Sequence, residues 1–178
     1  LIIKKTQNMK KIVFTLLLMS SVFSVKAQDI FSASRSNNVI ELNELINSKA
    51  NINQVNERGF TPLILAVYNN SVESVDILLK NGADLNAQDK SGNTALMGAI
   101  FKQNTNLVKI LVNSKANVNQ INYSGASSLI FAATFGNVEM IQILLKAGAD
   151  KSLKDNNGKT ALDHANLQEN KELISLLQ

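Results

Sequence analysis

Two nine-residue stretches carry the same order of apolar and polar positions: VESVDILLK from Val72 to Lys80 and VEMIQILLK from Val138 to Lys146. Val72, Val75, Leu78 and Leu79 lie at helical spacing, so they form one apolar face, and the polar residues between them form the other. Each stretch meets a glycine two residues on, Gly82 and Gly148. Glycine ends a helix readily because it adopts the left-handed conformation that a Cβ opposes. Upstream, Thr61 and Pro62 suit an N-cap followed by the first helical position, where proline sacrifices no hydrogen bond. They open a shorter apolar run, LILAVYNN, from Leu63. After the second helix comes a polar segment, Asn86 to Asn93, with the glycine of a tight turn at Gly92. The pattern predicts a short helix, a longer helix and a projecting finger.

That unit recurs. Thr61, Thr94, Ser127 and Thr160 stand 33 residues apart, as do Gly59, Gly92, Gly125 and Gly158. Ala33, Ala66, Ala99, Ala132 and Ala165 keep the same interval. A fixed period of this size signals a stack in which each unit buries its apolar face against its neighbours. NSKANINQVN (47–56) and NSKANVNQIN (113–122) differ only by exchanges of Ile and Val, and they lie 66 residues apart. A block of two units has been duplicated.

DKSGNTAL (89–96), ERGFTPLILAV (57–67), LLKNGADLNAQD (78–89) and LLKAGADKSLKD (144–155) resemble the ankyrin-repeat family. The resemblance implies an all-α solenoid of about five helix-turn-helix units with β-turn fingers, spanning residues 28–178. There are departures. The family's usual histidine after threonine-proline-leucine is replaced by Ile64, Met97, Ile130 and Asp163. Asp163 can reach back to Thr160 as a capping box. The helix-ending glycine is replaced by Lys49 and Lys115, where a left-handed backbone costs roughly 1 kcal/mol.

The formal charge of +4 suggests nucleic acid until the N-terminus is considered. Residues 9–27 run from a basic start at Lys10 and Lys11, through apolar Ile12 to Met19, to Val25-Lys26-Ala27. This has the three parts of a secretory signal peptide. The apolar run is about half of the ~20 residues that a membrane span needs. Residues 1–8 are then an upstream extension, and 1–27 a leader. Without its five lysines, 13 basic side chains face 14 acidic ones, a count of −1. The expectation is an exported protein, periplasmic or secreted, with no nucleic-acid partner and no membrane insertion after cleavage.

The chain has no cysteine and a single histidine, His164. A catalytic reading rests on His164 with Asp163 and lacks a nucleophile placed to use them. Asp84, Asp89, Asp150 and Asp155 recur in positions that elsewhere hold Asn51, Asn56, Asn117 and Asn122, which suits turn-stabilising caps rather than acids. No phosphate loop, metal spacing or cofactor fingerprint appears, so no cofactor is expected. The resemblance implies a protein partner docking on the concave face and finger tips. By register these positions include Arg58, Phe60, Tyr68, Asn69, Lys90, Asn93, Phe101, Lys102, Tyr123 and Phe135. Five of them are aromatic, a residue type that supplies contact area at low entropic cost. With a leader this short and opened by a lysine pair, as in bacterial signal peptides, a monomeric, non-catalytic interaction module of the bacterial cell envelope is the function expected. Narrower versions are an immunity protein or inhibitor for an exported toxin or enzyme, and an assembly or protective factor for an envelope enzyme.

Overall fold

The computed structural model describes residues 29–178, and the leader expected over residues 1–27 lies outside them. Ten helices follow in pairs: α1 (Ile30–Arg35) and α2 (Val39–Asn47), α3 (Pro62–Tyr68) and α4 (Val72–Lys80), α5 (Ala95–Phe101) and α6 (Thr105–Asn113), α7 (Ser128–Phe135) and α8 (Val138–Lys146), α9 (Ala161–Leu167) and α10 (Lys171–Leu177). The first helices of the pairs stack in one row and the second helices in another. The result is the expected all-α repeat solenoid of five units.

The N-caps explain where the helices begin. Thr61 Oγ1 accepts the Ile64 amide at 3.2 Å, and Thr94 and Ser127 repeat the arrangement with Met97 and Ile130. At Thr160 the bond is reciprocal: its amide donates to the Asp163 carboxylate at 2.8 Å, completing the capping box. In the other three units the position that could hold histidine is filled by Ile64, Met97 and Ile130, all buried. The lost side-chain bond is thus exchanged for apolar burial.

The core runs the length of the stack. Ala33, Ala66, Ala99, Ala132 and Ala165 are fully buried where the first helices pack on one another. Only a methyl group fits at so close an approach. Leu42, Val75, Val108 and Ile141 fill the equivalent row of the second helices. Gly82 and Gly148 end their helices at φ +85° and +86°. Lys49 and Lys115 adopt the same left-handed conformation at φ 66° and 73°.

Candidate protein-interaction face

Each finger is a tight turn held by one side chain. Asp89 Oδ1 accepts the amides of Ser91 and Asn93 at 2.8 and 2.9 Å, and Gly92 N–H donates to the Asp89 carbonyl at 2.9 Å. Asp155 does the same for Asn157 and Lys159. Asn56 and Asn122 do it with an amide oxygen. The interchange of acid and amide follows from a role that needs only an acceptor.

Fingers are also tied to one another. Tyr123 N–H donates to the Ser91 carbonyl at 3.1 Å, and Asn156 N–H to that of Ser124 at 2.9 Å. A further ladder lies at the base of the fingers. The Oδ1 atoms of Asn53, Asn86 and Asn119 accept the amides of Asp84, Asn117 and Asp150 in the next unit at 2.8, 2.9 and 2.8 Å. Sequence reasoning missed these asparagines, although their 33-residue spacing was a signal.

The structure divides the ten candidate positions. Phe101, Tyr123 and Phe135 are exposed, at 53%, 67% and 41%. Phe101 and Phe135 meet edge to face with ring centroids 5.4 Å apart, and Phe131 packs on Phe135 at 5.7 Å. Arg58, Asn69, Lys90 and Lys102 are exposed. Phe60 and Tyr68 are half-buried and packed on the core, not fully exposed as their register suggests. Phe60 and Tyr68 lie 5.8 Å apart, and the Tyr68 ring covers Gly98 of the next unit, where the absent side chain leaves room. Asn93 is half-buried, and its Oδ1 accepts from Asn122 Nδ2 at 2.8 Å, which makes it part of the frame.

A cleft of about 600 Å³ opens between the first finger, residues 56–60, and helices α1 and α3. It brings together Arg58, Phe60, Tyr68 and Asn69 with Asn56, Glu57, Leu65 and Arg35. Arg35 was absent from the expected set, although it occupies the register of Tyr68 and Phe101 one and two units earlier. Burial, and next the charge of Asp89, raise the Tyr68 pKa above its ordinary value. A second cleft, of about 510 Å³, lies on the other row between α6 and α8 and is lined by Lys109, Lys115 and Lys146 among others.

His164 Nε2 lies 2.8 Å from Asp155 Oδ2, so the ring braces the last finger against α9. Asp163 is engaged with Thr160. His164 and Asp163 thus serve different contacts and do not form a pair. Among the described residues, no three His, Cys, Asp or Glu side chains are grouped to hold a metal ion, and no helix is long and apolar enough to cross a membrane.

Helix pairs, asparagine- or aspartate-capped turns and the 33-residue frame define a class of helical repeat scaffolds. Within it, the family model described as Ankyrin repeats (3 copies) matches residues 7–89, 30–122, 81–155 and 120–178, and the chain belongs to the ankyrin-repeat family. Repeats of this family are generally protein–protein interaction modules. No curated protein matches the chain.

Proposed function

We propose that the protein is a non-catalytic binding module of a bacterial cell envelope, gripping a protein partner with its fingers and the ends of the first helices of its units. The observation that carries this reading is the set of solvent-facing rings on the repeat stack. Phe101 and Phe135 are paired yet exposed, and Tyr123 projects from a finger tip. Large exposed apolar side chains grouped on a soluble scaffold mark an interface more often than chance. The −1 charge count after residue 27 supports a protein partner over nucleic acid. The expected signal peptide at 9–27 motivates the envelope setting, and the mass of the protein from its own cells checks cleavage after Ala27.

The experiment is capture from an envelope fraction with the tagged chain and with a Phe101→Ser, Tyr123→Ser variant whose helicity is verified by circular dichroism. A partner retained by the first and lost by the second supports the reading. Equal retention by both contradicts it. The partner's identity then separates an inhibitor or immunity protein from an assembly factor.

A further inference from the structure

Arg35 and Arg58 are the only arginines in the chain, and both line the cleft beside the first finger. One ends α1 and the other sits on the finger of the next unit, so only the stacking of units brings them to one opening. Both are exposed, and neither forms an ion pair with a carboxylate among the described residues. Their backbones are fixed: the Arg35 carbonyl accepts from Ser71 Oγ at 2.9 Å, and Arg58 N–H donates to Asn56 Oδ1 at 2.9 Å. The Phe60 and Tyr68 rings and Leu65 supply the apolar lining.

Every other cation of the described chain is lysine. The difference matters, because a guanidinium presents a planar fork that holds a carboxylate by two parallel bonds, whereas an ammonium is a compact point charge. Glu57 also lines the cleft, leaving two positive charges against one negative. That balance favours a single carboxylate and resists a run of them.

We propose that this cleft takes one acidic side chain, Asp or Glu, of the partner protein, with an adjoining apolar side chain resting on Phe60 and Tyr68. The inference rests on the reading that the finger side of the solenoid binds protein, and it names the chemistry recognised at one end. The test uses an array of short peptides, each with one Glu or Asp beside Leu or Phe, and matched peptides with Gln or Asn in its place. The array is probed with the tagged full chain, and affinities of the binders are measured by fluorescence anisotropy.

Carboxylate peptides are expected to bind, and their amide counterparts to bind about tenfold more weakly or worse. Arg35→Gln and Arg58→Gln, both at exposed positions that leave the fold intact, are each expected to cost about tenfold for the carboxylate peptides. They should cost nothing for the amide peptides. Binding indifferent to Gln for Glu, binding that survives both arginine substitutions, or no binding of any acidic peptide overturns the proposal. In those cases, partner capture lost on Phe101→Ser, Tyr123→Ser still supports the broader reading. The two failures are therefore distinguishable.

Discussion

The ring of Phe101, at the end of α5, stands edge-on to that of Phe135, at the end of α7, with centroids 5.4 Å apart and planes inclined at 76°. The pair joins the third and fourth units across their exposed side, so it is a contact within the stack that remains open to solvent. Edge-to-face pairs contribute about 0.5–1.5 kcal/mol beyond area burial. In a double-mutant cycle of Phe101→Ser and Phe135→Ser, urea unfolding should give a coupling in that range, with the helices retained. A coupling near zero would mean that the rings do not support each other in solution.

Asn119 ties the base of the third finger to the next unit with both ends of its amide. Its Oδ1 accepts from Asp150 N–H at 2.8 Å, and its Nδ2 donates to the Gly148 carbonyl at 3.0 Å. Asn119→Ala removes both bonds and should lower stability by about 1–3 kcal/mol by urea unfolding. Asn119→Asp keeps the acceptor and loses the donor, so its loss should be smaller.

Lys115 occupies the helix-ending register of Gly82 and Gly148 at φ 73°. A side chain there meets no crowding, since a Cβ on Gly82 or Gly148 has nothing within 4 Å. The penalty is therefore one of backbone conformation. Lys115→Gly should stabilise the protein by about 0.5–1 kcal/mol, and Gly82→Lys should cost a similar amount. Thermal unfolding reads both signs.

Ser128 is fully buried, and its hydroxyl has no partner among the described residues. The same register holds Ala95 and Ala161. Ser128→Ala removes an unsatisfied polar group and introduces a better helix former, so a gain of about 1 kcal/mol is expected in urea unfolding. A loss would indicate that the hydroxyl is bonded in solution.

The amide of Lys159, and next the ring of His164, hold the Asp155 carboxyl below its ordinary pKa. A carboxyl depressed in the folded state contributes stability that is present above its unfolded value, about 3.9, and lost as pH falls through the folded value. Asp150 and Asp163, both lowered by hydrogen bonds, add to the same acid limb. Asp155→Asn keeps an acceptor for the finger amides, as Asn56 and Asn122 do, but does not titrate. Its urea midpoint should therefore fall less steeply than that of the natural chain below about pH 4. Identical slopes would contradict the assignment.

Most of the frame was legible in the sequence because it depends on local chemistry. The threonine caps, the bounds of α4 and α8, the left-handed glycines and lysines, and the Asp163 capping box each involve residues within a few positions of one another. Contacts between units were less legible. Asn53, Asn86 and Asn119 look like solvated turn residues until the next unit, 31 residues on, supplies the amide they accept. Tyr68 looks exposed by register, and Gly98 in the following unit lets it settle inward. Arg35 joins the candidate face only through a finger of the unit after it.

Hydrogen exchange on the chain alone and with its captured partner tests the central claim most directly. Slowed exchange is expected in the fingers around residues 56–60, 89–93 and 122–126, and at the ends of α3, α5 and α7, with α4, α6 and α8 unchanged. Protection confined to α4, α6 and α8 would place the partner on the opposite row and contradict the account.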